Sequence, residues 1–470
     1  MNPLENTPAA RLDEILASQK AFFRTEATLD VAFRKQQLRK LLQALESHEQ
    51  ELADALWTDL HKSFEEAYLT ELSLVKGEVR DALRHVQRWA RRERKHTPVT
   101  LFGSRSYIVK EPLGTALIVS PWNYPVQLLL SPLVGAIAAG CTAVLKPSPY
   151  VPNVSRAIER LIGSAFDPQY IAVVQGNREV NRHLFSQKYD LIFFTGSPAL
   201  ARNVAAAAAP NLTPLVLELG GKSPCIIGRD ANIALAAKRI AWGKTLNAGQ
   251  TCIAPDYVLI HPDVKETFVQ AFGEAMRTLH GEDIRTDKHY VRMVSDKAFD
   301  RVTGYLQEGT VRYGGHSDAA ERFIEPTLLD DIRPDAEVLT TEIFGPVLPM
   351  VTLEGAEGEA GRSFADQVVD YVNAREKPLA LYYFGRESEG WEIVRRTSSG
   401  GCCLNDTIMH IANPALPFGG VGNSGMGRYH SRESFEAFTH RRAVLASSTR
   451  IDTPFRYMPY KFFGLIRKMM

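Results

Sequence analysis

Residues 115–147, TALIVSPWNYPVQLLLSPLVGAIAAGCTAVLKP, decide the fold. Thr115–Ser120 is a short apolar run with no polar alternation, which predicts a strand buried on both faces. Leu128–Ala139 reads as a helix, and Ala143–Leu145 as a second strand of the same buried kind. A strand, a helix and a strand with no solvated strand face predict a parallel sheet covered by helices on both sides. Further runs of this type at Ile171–Val174, Leu191–Phe194 and Leu215–Leu217, with a helix over Val154–Ile162, extend the sheet.

Upstream, the first 95 residues read as helical. Leu38, Leu41, Leu42 and Leu45 have the i, i+3, i+4, i+7 spacing of one buried helix face. The basic, proline-marked segment from Arg91 to Pro98 ends this region. Downstream of Glu218 the pattern begins again: a strand at Pro224–Ile227, a helix over Ala231–Leu246, a strand at Tyr257–His261, then helices to about Gln307. A chain of 470 residues is too long for one core, so this second series is read as a second α/β domain. No tandem repeat is visible, and Ala205–Ala209 is a strong helix former.

Composition bounds the function. An apolar fraction of 45% and a charged fraction of 23% exclude global disorder, and a net charge of +1 gives no reason to expect nucleic-acid binding. The five cysteines (141, 225, 252, 402 and 403) are scattered without a CxxC pair. That argues against a disulfide framework or a zinc site and for a reducing compartment. The opening MNPLENTPAARLDE lacks the apolar segment of a signal peptide, and no run nears the roughly 20 apolar residues of a membrane span. A cytoplasmic protein is expected. The last thirty residues differ: seven Lys/Arg face Asp452 alone, so this end carries +6 and leaves −5 to the remainder.

Several short segments can carry chemistry. Cys252, in Gly249-Gln250-Thr251-Cys252, is either a nucleophile or a small buried hydrophobe; as a nucleophile it needs a base, because a free thiol titrates near 8.5. Glu218 leaves an apolar strand into a glycine-rich turn, where it is either a desolvated base or the partner of Lys222. Asn123, bracketed by Pro121 and Pro125 at a strand's carboxyl end, either donates to an oxyanion or caps the next helix. No GxGxxG follows a strand. Lys146-Pro147-Ser148 and Thr195-Gly196-Ser197 stand at strand ends instead, where Lys146 can reach ribose hydroxyls and Gly196 and Ser197 a pyrophosphate. Glu342-Ile343-Phe344-Gly345-Pro346 and Leu416–Gly422 complete the set, the latter without a titratable group.

In this order these segments resemble the aldehyde dehydrogenase superfamily. Leu217–Pro224 is similar to its glutamate signature and Gly249–Cys252 to its cysteine signature, 34 residues apart. The short N-terminus, Ala136–Pro147 and Phe418–His430 are similar to class 3, whose members take aromatic and fatty aldehydes. The resemblance implies an NAD- or NADP-dependent enzyme that oxidises an aromatic or medium- to long-chain aldehyde to the acid. Cys252 would attack, Asn123 and the Cys252 N–H would hold the oxyanion, and Glu218 would activate water against the thioester. Lys146, Ser148, Gly196, Ser197, Glu342 and Phe344 would bind the cofactor. It also implies a Rossmann-like cofactor domain over 1–218, a catalytic domain over 219–405, and a return to the first over 406–470. An oligomerisation element would pair a segment near 97–108 with one near 443–448 in a homodimer. Acylating or reductive relatives, or a cysteine esterase, are the rivals. Two positions depart from the family: Pro149 stands where a carboxylate often binds the ribose 2′-hydroxyl, which leaves NADP open, and Ala201 stands for a glycine. The basic tail, with Phe455, Tyr457, Tyr460, Phe462 and Phe463, is too interrupted by charge to span a bilayer. It can pack over the substrate entrance or a second subunit, or adhere weakly to an anionic membrane surface.

Overall fold

The structure is a computed structural model that describes residues 4–354, 362–452, 456–460 and 462–469. Thr115–Val119 lies at the centre of the expected sheet, between Leu191–Thr195 and Thr142–Lys146. Leu215–Glu218 and Ile171–Val173 flank these, all parallel, and Gly425–Met426 closes one edge antiparallel to Leu215–Glu218. The apolar run is explained by burial on both faces. Ala116 and Ile118 join the cluster containing Leu129 and Leu133, while Leu117 and Val119 join Leu12, Ile15 and Val204 on the other side. The helix Gln127–Ala139 is buried at every residue, so it carries no polar stripe. Gly140 ends it in a left-handed turn (φ 93°), where a Cβ would stand 2.6 Å from the Thr28 carbonyl oxygen.

The N-terminal helices Val31–Ser47 and Ser73–Trp89 pack over this helix, and Glu49–Leu60 packs on the neighbouring helix Pro152–Ala165. Leu38, Leu41 and Leu45 are fully buried and Leu42 is half-buried. The Arg91–Pro98 segment does more than end the helices. Glu93–Lys95 pairs antiparallel with Ser104–Pro112, whose other side pairs along nine residues with Thr439–Ser447.

A second sheet has the order Thr310–Tyr313, Thr327–Asp330, Val347–Thr352, Tyr257–Ile260, Pro224–Ile227, Ala380–Phe384, Gly401–Leu404, parallel except for the first pair. The helix expected over Ala231–Leu246 runs Ile233–Thr245, because Asn232 caps its start by accepting from Leu235 N–H at 3.2 Å. Among the described residues no helix is long and apolar enough to cross a membrane. Phe455 and Lys461 of the tail lie outside the described residues. Tyr457, Met458, Tyr460 and Phe463 are exposed, and none of the described tail residues lines the cleft treated next.

Candidate active site

The carboxyl ends of the first sheet's strands meet the start of the second sheet, and the sequence's chemical segments gather there. Asn123 follows Thr115–Val119 in the proline-bracketed loop and is buried. Its Nδ2 donates to the Gln250 carbonyl at 3.0 Å, while its own carbonyl accepts from Asn247 Nδ2 at 3.0 Å and Lys62 Nζ at 3.1 Å. Its Oδ1 has no partner. It does not cap the next helix: Glu71 Oε2 takes the Val126 and Gln127 N–H groups at 2.8 and 3.2 Å.

Cys252 follows a sharply bent segment. After Ile233–Thr245 the chain turns through Asn247 (φ 52°), Ala248 (φ 52°) and Gly249 (φ 71°), three consecutive left-handed residues. Buried side chains hold the bend. Gln250 Nε2 donates to the Asn247 and Arg292 carbonyls at 3.1 Å each, its Oε1 accepts from Val294 N–H at 3.0 Å, and Glu66 Oε1 accepts from Asn247 N–H at 2.9 Å. Tyr124 Oη lies 2.7 Å from Thr251 Oγ1, tying the asparagine loop to the cysteine loop. Burial pushes the Cys252 thiol up to about 12, with Glu342 and then Glu218 adding to the shift, and the N–H groups of Cys252 and Ile253 opposing it. The resting sulfur is therefore protonated and needs a proton acceptor before it can attack.

Glu218 ends its strand opposite Thr195 on one side and Gly425 on the other, and is 2% exposed. Neither carboxylate oxygen has a hydrogen-bond partner, and burial raises its pKa well above the carboxylate range. The alternative pairing with Lys222 is excluded by geometry. Lys222 is ion-paired with Asp256 and donates to the Val338 and Thr341 carbonyls at 2.8 and 3.0 Å. Asp256 Oδ1 in turn accepts from Ile343 N–H at 3.0 Å, and Arg301 donates to the Ile343 carbonyl at 2.8 Å, so the Glu342–Phe344 segment is held from two sides. Glu342 is pushed up to about 8 by burial and then by Asp256, and its Oε1 has no partner. Phe344, itself left-handed (φ 49°), stands edge-on to Trp122 with ring centroids 5.5 Å apart.

These groups face one cleft of about 1100 Å³. Asn123, Glu218, Cys252, Gly196, Ser197, Glu342 and Phe344 all line it. Lys146 and Ser148 do not. Lys146 is buried at the end of its strand, donates to the Pro147 carbonyl at 2.7 Å, and is pulled down to about 8 by burial. That bond uses one of the three N–H donors of the ammonium, so the other two stay available. Gly196 lines the cleft, and its N–H donates to the Glu218 carbonyl at 3.0 Å, which ties it to the strand Leu215–Glu218. Ser197 caps the helix Pro198–Ala208. His410 lies outside the cleft, 3.3 Å from Cys403 Sγ.

Sequence reasoning missed Trp122, Thr195, Arg202, Arg301 and Asn423, which also line the cleft. Trp122 and Thr195 sit inside motifs already singled out and could have been named. Arg202, Arg301 and Asn423 reach the site only through the fold, with Arg202 and Asn423 joined by a 2.8 Å hydrogen bond across 221 positions.

A mixed set of this kind suits a dinucleotide that carries hydroxyls. Glu218 is buried and Glu342 half-buried, each with a carboxylate oxygen that no protein group donates to, and the aromatic pair Trp122 and Phe344 lines the same cleft as the sulfur. Comparison with known proteins agrees. Residues 4–444 match the aldehyde dehydrogenase family. The chain is 44% identical over 453 residues to 4,4′-diaponeurosporen-aldehyde dehydrogenase of Staphylococcus aureus, covering 96% of this chain and 97% of that one. It is 39% identical to the dimeric NADP-preferring aldehyde dehydrogenase of Canis lupus familiaris, over 93% and 94% of the two chains. A solved structure of Staphylococcus aureus AldH in a substrate-bound state superposes with a TM-score of 0.94 at 44% identity, over 97% of this chain and 99% of that one. With aldehyde dehydrogenase family 3 member B3 of Mus musculus also 42% identical over 95% of this chain and 92% of that one, the chain belongs to the aldehyde dehydrogenase family as a class 3-like member, an enzyme that oxidises aldehydes to carboxylic acids.

Proposed function

We propose that Cys252 is the nucleophile, Asn123 the oxyanion donor and Glu218 the base that activates water. The observation that carries this reading is the Glu218 carboxyl group: buried, without any protein partner, in the same cleft as the Cys252 sulfur. Sulfur adds to the aldehyde carbon as the thiol proton passes to solvent water in the cleft, so this step does not draw on Glu218. The oxyanion so formed is within the province of the Asn123 amide and the Cys252 N–H. Nδ2 has two hydrogens, and with one held by the Gln250 carbonyl the other is free to donate. The nicotinamide cofactor, NAD or NADP, supplies the hydride acceptor when bound. Glu342, with its unpartnered oxygen, would hold the ribose hydroxyls, and Ser197 would lie beside the phosphates. The acyl group left on Cys252 is a thioester, and Glu218 takes a proton from the water that cleaves it to acid and free thiol.

Replacing the carboxylate by an amide separates the two half-reactions. Glu218→Gln should release about one equivalent of reduced cofactor per site in a burst. Steady turnover should then fall on the order of 10²–10⁴-fold. Rapid-mixing absorbance reads both phases, and unchanged steady turnover would remove Glu218 from this role.

The cofactor-binding part is 1–218 with 406–470 and the catalytic part 219–405, a division supported by Gly401–Leu404 ending the second sheet and Gly425–Met426 rejoining the first. With Pro149 in place of a carboxylate, both NAD and NADP are accepted, and one relative is named for an NADP preference. The substrate is an aromatic or medium- to long-chain aldehyde, in keeping with Trp122, Leu128 and Phe344 in the cleft wall. The protein works as a homodimer, and its basic aromatic tail packs against the neighbouring subunit or the substrate entrance, with weak adhesion to an anionic membrane surface the second reading.

A further inference from the structure

The N-terminal helical layer holds a charge pair whose surroundings do not call for one. Lys62 and Glu71 are both fully buried, with Nζ 2.8 Å from Oε1. Desolvating two ions costs several kcal/mol each, and an apolar pair of similar volume commonly does as well or better for stability. The pair's other hydrogen bonds all fall on the asparagine loop and the first residue of the helix that follows it. Lys62 Nζ donates to the Asn123 carbonyl at 3.1 Å and stands 4.3 Å from the centre of the Tyr124 ring. Glu71 Oε2 receives the Val126 and Gln127 N–H groups, the first free donors of the helix behind that loop. Glu71 is itself presented by a π-helical turn, Tyr68–Leu72, a distortion that recurs at functional sites.

The asparagine loop is thus clamped at its front by Lys62 and at its back by Glu71. The front clamp matters for chemistry because the Asn123 carbonyl takes two donors, Lys62 Nζ and Asn247 Nδ2, which together fix the peptide. With the peptide fixed and one Nδ2 hydrogen on the Gln250 carbonyl, the planar amide leaves a single direction for its second hydrogen.

Building on the reading of Asn123 as oxyanion donor, we propose that Lys62 and Glu71 are positioning residues for aldehyde oxidation, acting through Asn123 by aiming its free N–H. Neither touches the substrate.

A double-mutant cycle against Asn123→Ala tests this. The neutral pair Lys62→Met with Glu71→Gln preserves volume and removes both charges together, leaving Glu66, whose carboxylate Lys62 also favours, to hold its proton more tightly. In the otherwise native protein it should lower kcat roughly tenfold, since misplacement on the order of 1 Å is costly to catalysis. Cofactor KM and the rate of Cys252 alkylation by iodoacetamide should stay within about twofold by the same argument. In the Asn123→Ala background the same pair should change kcat by less than about twofold, because the group it aims is gone. Equal losses in both backgrounds, or no loss in the native one, would overturn the proposal. If Asn123→Ala alone leaves kcat unchanged, the oxyanion reading falls and this proposal with it, an outcome distinct from a failed cycle. Lys62→Leu with Glu71→Gln, which also removes the donor and both charges, repeats the cycle if the first paired variant does not fold. Failure of both to fold would mark the pair as structural and overturn its role in aiming Asn123.

Discussion

A carboxyl group with no partner in a protein interior is a local liability, and Glu218 is one. Its raised pKa means that the folded state holds the proton more tightly than the unfolded chain does. Stability tied to this group is therefore greatest in acid and is lost as pH rises above the ordinary carboxylate range towards the folded value. Activity runs the other way, because only the deprotonated form can accept a proton from water. Glu218→Gln should consequently raise Tm relative to the native protein, and by more at pH 8 than at pH 5. Calorimetry at the two values decides this, and an equal gain at both would show that the carboxyl is not desolvated as described. At this scale the sequence was informative about Cys252, Glu218 and Asn123, because a thiol just ahead of a strand, a strand-end acid and a bracketed amide each advertise a chemistry, and all three line one cleft. It could not tell base from ion-pair partner at Glu218. That choice depended on Asp256, 34 residues beyond Lys222, which claims the lysine. Lys146 was legible as a strand-end cation, but not its retreat onto the Pro147 carbonyl.

Elements were read well where burial alone shapes them. The apolar runs at Thr115–Ser120 and Leu191–Phe194 match strands within a residue, since strands covered on both faces leave no ambiguity of period. Elements closed by distant groups were not legible: nothing near Gln127 signals that its helix is capped by Glu71, more than fifty positions upstream. The bend before Cys252 falls between these cases. Its glycine was visible in the sequence, but its three successive left-handed residues were not. Gly249 is the tightest of them, because a Cβ there would press on the Gly345 carbonyl as well as adopt a positive φ. Gly249→Ala should destabilise the fold by about 1–3 kcal/mol. It should also displace the sulfur, so that kcat falls by more than the loss of folded protein explains. Denaturant titration alongside active-site thiol counting separates the two effects. Full activity per folded molecule would show that the bend does not place Cys252.

At the scale of the whole molecule, one strand stands out for what it leaves unpaired. Thr439–Ser447 bonds along its full length to Ser104–Pro112 on one side and forms the edge of its three-stranded sheet on the other. Nearly all its side chains are exposed, including Val444 and Leu445 at 36% and 49%. A long regular edge of this sort offers a row of free N–H and C=O groups, and proteins that keep one usually cover it. The sequence could place this pairing near the right residues only through family resemblance, since a short basic segment and a distant strand share no local signal. A second copy of the chain is the cover proposed here, and Val444 and Leu445 would then lie against the partner. The native protein should sediment at twice the chain mass at micromolar concentration. Val444→Lys combined with Leu445→Lys, which brings like charges together in addition to Arg441 and Arg442, should shift it towards the single chain while leaving Cys252 alkylation unchanged. Sedimentation velocity reads the outcome directly. A native protein that already runs as one chain, or a doubly substituted one that stays at twice that mass, would mean that this edge is not where two copies meet.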